Sequence, residues 1–283
     1  GASWKNFFLG AGWYDATSGP ETYQLCSDVL FAADKGSENS RWQYSQGVIL
    51  NSTITIGDET IYFAESRSPA VKASDERRIG MDALWEDLWL VALDAASGEK
   101  KWERALETAP GRIAFYLAHS DGRLVLVSSA DLKFHIYAMD DATGEPFWST
   151  EVPWGKGKAD HGSHLSRPAI VGSRLFVRPA VIDLSNGNIL DEEIPVGGCG
   201  TYACTTDALF FRDGSGGRFA VWNPDNGNYT HWDRLRPDCW LSSIPAGGML
   251  LSPEGGGGCS CGNWMETSLG FMPVARLQDA PSE

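Results

Sequence analysis

Two short clusters hold the donor atoms from which a metal centre could be built. Asp160-His161-Gly162-Ser163-His164 places two imidazoles and a carboxylate within one polar stretch, and Cys259-Ser260-Cys261 places two thiols just behind the glycine run 255–258. Imidazole suits zinc and copper, and thiolate suits zinc and Cu(I). On an extended strand, residues i and i+2 share a face about 7 Å apart, beyond the reach of an ordinary disulfide. Cys259 and Cys261 are therefore expected to pair with different partners or to ligate one metal. Cys26, Cys199, Cys204 and Cys239 are the other thiols, and six cysteines allow fifteen pairings among which spacing does not choose. The structural reading is that these cysteines are staples holding the end of the chain. A bridge from Cys239 into the pair would close a loop of about twenty residues and contribute roughly 3 kcal/mol in the chain-entropy model. The doubled Cys-x2-Cys spacing of common zinc sites is absent.

A second group of residues could bind an organic or anionic ligand. Glu65-Ser66-Arg67 follows an apolar strand, and Glu254 follows another strand end. Together with His119 and Arg167, Glu65 and Arg67 are the ligand-binding candidates. Arg112, Arg178 and Arg212 could likewise meet an acidic sugar or tie one sheet to the next. An adjacent Glu–Arg pair also reads as a structural ion pair. His119 and His135 fall in strand-like stretches and read as satisfied structural residues, while His231 belongs to an outer strand. Trp4, Trp13, Trp85, Trp154 and Trp264 lie outside any repeat; they read first as packed core residues, and any that are exposed are the aromatics that would stack on sugar rings. No set of residues forms a complete catalytic constellation, so no catalytic residue is assigned.

The elements that must position these groups repeat along the chain. Residues 94–102 read Asp-Ala-Ala-Ser-Gly-Glu-Lys-Lys-Trp and residues 140–148 read Asp-Asp-Ala-Thr-Gly-Glu-Pro-Phe-Trp. Asp183 and Gly187 keep the Asp-to-Gly spacing, Asn223 and Gly227 repeat it with Asn, and Asp34 and Trp42 keep the Asp-to-Trp spacing. A period of about 40–60 residues marks a repeat architecture. Each unit contains a tight turn and a nearly all-apolar strand, as in Gly57-Asp-Glu-Thr-Ile-Tyr-Phe and Asp121-Gly-Arg-Leu-Val-Leu-Val. A further strand, the Asp-x-x-x-Gly turn and an outer strand bearing Trp complete it. The Asp side chain can accept hydrogen bonds from the turn's backbone, and the glycine supplies the left-handed position. Four antiparallel strands per unit are the blade of a β-propeller. Six blade signals lie near residues 4–46, 47–106, 107–153, 164–195, 199–235 and 239–275. The expected fold is thus an all-β propeller of four-stranded antiparallel blades, about six in this chain. Residues 1–283 read as one such domain or as the C-terminal part of a larger propeller. The first unit lacks a clear opening strand, which the far end of the chain would supply on ring closure. Ser74–Asp87 is the one stretch with room for a short helix.

The segments Leu90-Val-Ala-Leu-Asp-Ala-Ala-Ser-Gly-Glu-Lys-Lys-Trp and Ile136-Tyr-Ala-Met-Asp-Asp-Ala-Thr-Gly-Glu-Pro-Phe-Trp resemble the repeat of PQQ-like, or quinoprotein alcohol-dehydrogenase-like, propellers. Gly198-Cys-Gly-Thr, Arg236-Pro-Asp-Cys-Trp and Gly258-Cys-Ser-Cys resemble the final blades of large secreted bacterial proteins of this kind, whose functions are mostly unassigned. The resemblance implies a fold rather than a redox activity. Quinoprotein dehydrogenases hold their quinone beneath a disulfide of adjacent cysteines, near a Glu–Asn–Asp calcium site. This chain has no adjacent cysteine pair and no Cys-x-x-Cys-His haem motif, so PQQ is not expected. No cofactor is assigned; copper, zinc and calcium are the ions left open.

Composition narrows the partners. With a formal charge of −14, the chain lacks the clustered cations that phosphate contacts need, so neither nucleic acid nor an anionic membrane surface is expected. No apolar run reaches the length of a membrane span, and no signal-peptide pattern opens the sequence. Six Cys and 32 Gly fit an extracellular or periplasmic setting. The expected role is a noncatalytic scaffold or recognition module that contacts other proteins, or polysaccharide, within a larger assembly. The rival is a carbohydrate-active or metal-dependent enzyme, for which Glu65, Arg67, His119, His161 and His164 would converge on one pocket. A thiolate–imidazole copper site for electron transfer would instead bring Cys259 or Cys261 to His161 or His164.

Overall fold

A computed structural model describes residues 26–36, 39–74, 81–111, 114–154, 167–192, 194–195, 202–213, 218–233, 235, 243–253 and 267–272. These residues form six antiparallel sheets with few helical turns. The chain divides into two compact units. The first runs to residue 160 and includes residues 186–188, and the second holds the rest.

In the first unit, β1 (Cys26–Ser27) is followed by the hairpin β2 (Leu30–Ala33) and β3 (Ser40–Tyr44). Next come β4 (Val48–Leu50), a 3₁₀ turn, β5 (Thr55–Gly57), β6 (Thr60–Ser66), β7 (Leu88–Asp94) and β8 (Lys100–Ala105). Here β4 and β5 share one edge of β6, β1 extends β4, and β7 and β8 follow on the other side. Between β6 and β7 lie two single helical turns, α1 (Pro69–Lys72) and α2 (Ala83–Glu86); only α2 falls in the interval 74–87 where the sequence has room for a short helix, and α1 precedes it. The next sheet runs β9 (Ala114–Ser120), β10 (Arg123–Ala130), β11 (Lys133–Asp140) and β12 (Pro146–Pro153) in sequence order.

The second unit holds two more four-stranded sheets in sequence order. One is β13 (Ala169–Val171), β14 (Arg174–Val177), β15 (Ala180–Asp183) and β16 (Ile189–Asp191). The other is β17 (Ala203–Cys204), β18 (Leu209–Asp213), β19 (Arg218–Trp222) and β20 (Tyr229–Asp233). A three-stranded sheet follows, β21 (Ile244–Ala246), β22 (Met249–Ser252) and β23 (Leu269–Phe271). These are the blades that the repeat phrase foretells. The inner strands β6 and β10 are buried along nearly their whole length, as their near-continuous apolar sequence requires when both faces are covered.

The phrase itself has a physical reason. Asp94 Oδ1 accepts from the backbone N–H of Ala96 and Ser97 at 3.1 and 2.8 Å, and the Gly98 N–H donates to the Asp94 carbonyl. Gly98 is left-handed, with φ +73°. The Trp42 indole N–H donates 3.1 Å to the Ala95 carbonyl of that turn, and its ring lies where a Gly98 side chain would be: an added Cβ would sit 2.5 Å from it. Trp102 repeats the contact on the following sheet, donating 3.0 Å to the Asp141 carbonyl and covering Gly144. The Trp148 ring covers Gly187, which belongs to the same unit. Trp42 and Trp102 thus each dock on the turn of the following sheet, and glycine is required there twice over, for its backbone angle and for the space. The series stops there. The next position of the phrase is Asp191, and Gly227, also at φ +73°, has open space above it. In its place, Phe176, Leu209, Phe211 and Ala220 pack between the two four-stranded sheets of the second unit, with Phe176 edge-on to Trp222 and Arg174 paired to Asp225 at 2.9 Å.

Gly144 and Gly227 share a backbone conformation and differ in the docked ring, which makes a controlled comparison. Gly227→Ala should cost about 1 kcal/mol, the left-handed strain alone. Gly144→Ala should add the displacement of Trp102, a further ~1–3 kcal/mol. Denaturant unfolding of both variants measures the difference, and equal losses would remove the docking contact as its cause.

Candidate functional site

The residues that sequence reading singles out fall into separate clusters. Along β6, Ile61, Phe63 and Glu65 alternate onto one face, opposite Leu93, Val91 and Trp89 of β7. The apolar members pack with Tyr44 and Ile49, partly covered by Leu30 and Trp42 of the β2–β3 hairpin. Glu65 continues this ladder, so its carboxylate is carried into the layer between sheets and is fully buried. Tyr44 donates 2.8 Å to Glu65 Oε1, and Arg67 Nε donates 2.8 Å to the same oxygen. Arg67 Nη2 reaches Glu103 at 2.5 Å and Gln46 at 3.3 Å, while its guanidinium lies 4.3 Å above the Trp89 ring. Lys100 adds a second cation to Glu103 at 2.8 Å. Gly47 leaves room for the Glu65 side chain, since an added Cβ would sit 2.5 Å from its carboxyl carbon. Glu65 Oε2 is enclosed and has no hydrogen-bond partner.

Each charge in this cluster shapes its neighbours. Burial, reinforced by the Glu65 charge, pushes the Tyr44 hydroxyl well above its ordinary value. Burial works against the Arg67 charge, but the hydrogen bonds to Glu103 and Glu65 outweigh it, so the guanidinium stays protonated. The hydrogen bonds from Arg67 and then Lys100 bring the Glu103 carboxyl down to about 2. The arrangement is a closed ion-pair network: the sequence-level alternative of a structural Glu65–Arg67 pair describes its contacts.

His119 does not join it. It leaves β9 toward the other face of the β4–β8 sheet, where its ring stacks on Tyr62 at 5.4 Å and 15° and rests against Gly57. Tyr62 and Glu65 differ by an odd number of positions on one strand, so their side chains point to opposite faces. There His119 Nε2 lies 2.8 Å from Asp141 Oδ2 and 3.7 Å from Asp58 Oδ2. Sequence reading named His119 but neither aspartate. The available signals were the doubled Asp140-Asp141, where the first phrase has Asp94-Ala95, and the acidic turn after Gly57. Arg167 is exposed in the second unit, two residues before β13. His161, His164, Cys259, Cys261, Cys199, Cys239, Glu254 and Arg112 lie outside the described residues. Cys26 lies in β1, and Cys204 in β17 places its sulfur 3.6 Å from the Ile170 carbonyl.

Two of the tryptophans outside the repeat follow the structural reading. Trp85 is buried edge-on against Phe115, 5.2 Å between centroids, and Trp154 is buried beside Phe134. Neither offers a face to a sugar; the apolar layers took them because the α2 turn and the end of β12 pack inward. A shallow hollow of ≈ 290 Å³ lies over β11 and β12, lined by His135, Tyr137, Ser149, Thr150 and Glu151. His135 Nδ1 is 3.1 Å from Glu151 there, so this histidine is tied to its own sheet.

The fold is that of a β-propeller, and its docked turns within residues 86–193 are PQQ-like repeats. Residues 86–193 match a PQQ-repeat family model described as outer membrane protein assembly factor BamB. Among solved structures, the chain is similar to BamB from Moraxella catarrhalis, with 15% identity, 81% of this chain and 62% of that chain covered, and a TM-score of 0.48. It is also similar to the exotype rhamnogalacturonan lyase YesX, with 12% identity, 86% and 50% covered, and a TM-score of 0.49. A europium-containing methanol dehydrogenase is similar as well, with 12% identity, 86% and 52% covered, and a TM-score of 0.43. The chain thus spans less than two thirds of the length of each of these structures. No curated protein matches it.

The ion network yields two measurable expectations. Glu103 has its pKa depressed from 4.5 to about 2, so its contribution to stability is present above pH 4.5 and is lost as pH falls toward 2. The stability difference between the parent and Glu103→Gln, followed by chemical unfolding, should shrink across that window; a difference constant with pH would contradict it. Arg67→Met leaves the buried Glu65 without its cation and should cost about 3–5 kcal/mol, whereas the double variant Glu65→Met/Arg67→Met should recover part of that loss. Urea midpoints of the single and double variants test this.

Proposed function

We propose that this chain is a noncatalytic propeller scaffold or recognition module that holds other proteins in a larger assembly. The observation that carries the reading is the set of large apolar side chains on successive outermost strands. Ile189 and Leu190 on β16 and Tyr229 and Trp232 on β20, both strands of the second unit, are all exposed. Aromatic and aliphatic anchors on a rigid outer surface are what protein interfaces use, and repeat architectures present such surfaces widely. The charged groups of the first unit point the same way, because Glu65 and Arg67 are neutralised by each other and by Glu103, on the sheet face opposite His119.

The family model matched by residues 86–193 is named for a factor in outer membrane protein assembly, which supports protein partners and a periplasmic or extracellular location. Among the described residues no helix is long and apolar enough to cross a membrane. The chain is read as one propeller domain or the C-terminal part of a larger one. Polysaccharide remains a second class of partner through Tyr229 and Trp232, whose exposed rings suit sugar stacking.

A photo-cross-linking amino acid placed at Leu190 or Tyr229 tests the reading in cell-envelope extracts. The scaffold predicts a discrete protein adduct at these positions that Glu65→Gln and His119→Gln leave unchanged. Absence of an adduct, together with polysaccharide turnover that Glu65→Gln abolishes, would replace the scaffold with an enzyme.

A further inference from the structure

We propose that Asp58, His119 and Asp141 form a divalent transition-metal site, best suited to zinc, that clips the β4–β8 sheet to the β9–β12 sheet. The three ligand atoms come from separate elements: the turn between β5 and β6, the end of β9, and the turn between β11 and β12. All three lie within 4.8 Å of one another. Around a tetrahedral zinc with bonds of about 2.0–2.2 Å, ligand atoms stand roughly 3.3–3.6 Å apart. The observed separations from His119 Nε2, 2.8 Å to Asp141 and 3.7 Å to Asp58, straddle that value.

Two of the ligands are already oriented. His119 is nine-tenths buried, with one ring face against Tyr62 and the Nδ1 edge against Gly57, where any added Cβ would overlap the ring. Its Nε2 is thereby aimed at the carboxylates. Asp141 has its own carbonyl held by the Trp102 indole, so the docking contact between blades also fixes this ligand's backbone. Asp58 sits in a left-handed turn, φ +48°, and is largely exposed. It supplies the third ligand from the solvent side, and the open side beyond it leaves a coordination position for water or for a donor from a partner. A divalent cation would neutralise the two carboxylates around a neutral imidazole, donor types that zinc accepts readily. The two sheets already touch here through Ser52 and Thr55, whose hydroxyls donate to the Phe115 and Leu117 carbonyls at 2.6 and 2.9 Å, so binding needs no rearrangement of the blades. The role is a structural brace and is independent of the scaffold reading.

The test is titration of the untagged full chain with zinc by calorimetry, and with cobalt by absorption spectroscopy. The parent should take up zinc at a site that Asp58→Asn and His119→Gln each weaken about tenfold or more, and zinc should raise the melting temperature of the parent alone. Because Asp58 is exposed, Asp58→Asn should keep the metal-free melting temperature and so separates loss of a ligand from loss of fold. The bound cobalt should show the weak bands of nitrogen and oxygen ligation. A parent that binds no zinc, zinc binding unchanged in Asp58→Asn and His119→Gln, or intense thiolate-to-cobalt absorption that survives Asp58→Asn would each overturn the assignment.

Discussion

The contact on which the first unit depends is the docking of a tryptophan from one blade onto the turn of the next. It joins a hydrogen bond, an apolar burial and a steric demand in one place. Trp42 and Trp102 each give an indole N–H to a turn carbonyl and rest their ring on a left-handed glycine. An indole is well suited to this, because it carries a large apolar area with a single polar edge that must find an acceptor when buried. The acceptor carbonyl is held out by the Asx turn beneath it, in which Asp94 caps the N–H groups of Ala96 and Ser97. One nine-residue phrase therefore encodes both halves of a blade-to-blade joint, the receptor turn first and the plug for the next blade eight residues later.

The same joint sorts the polar residues. A propeller sheet has a neighbour on each face, and the twofold alternation of a strand sends successive side chains to different neighbours. Glu65 follows Ile61 and Phe63 toward the β2–β3 hairpin and is drawn into a network with Tyr44, Arg67 and Glu103. Tyr62 goes the other way, toward β9, and meets His119. Such a network is costly to break and modest in net stabilisation, since burial of the charges offsets much of their attraction. What it contributes is register: Tyr44 of the hairpin and Arg67 beyond β6 must both be placed for Glu65 Oε1 to be paired.

Beyond the third docked tryptophan the chain changes its means of joining blades. The outer strand β16 has Asp191 at the phrase position, and the Phe176–Trp222 and Arg174–Asp225 contacts take over. The outermost strands there display Ile189, Leu190, Tyr229 and Trp232.

By itself the sequence determined the blades. Strand alternation, the Asp-x-x-x-Gly turns and the Trp spacing are local patterns, and local hydrogen bonding and backbone strain are enough to specify them, so five of the six sheets each fall within one interval read from the repeat, while β1, from the first interval, joins the β4–β8 sheet of the second. It also named Glu65 and Arg67 together, because both lie at one strand end. Only the tertiary structure decided which groups meet across blades. Asp58 and Asp141 looked like ordinary turn residues, and their approach to His119 exists only because β5 lies beside β9. Trp85 and Trp154, for which the sequence left sugar stacking open as an alternative, are buried by packing that no local spacing records. Contacts within a strand or turn are written at fixed sequence separations; contacts between sheets depend on how twisted layers stack, and that is settled by the whole fold.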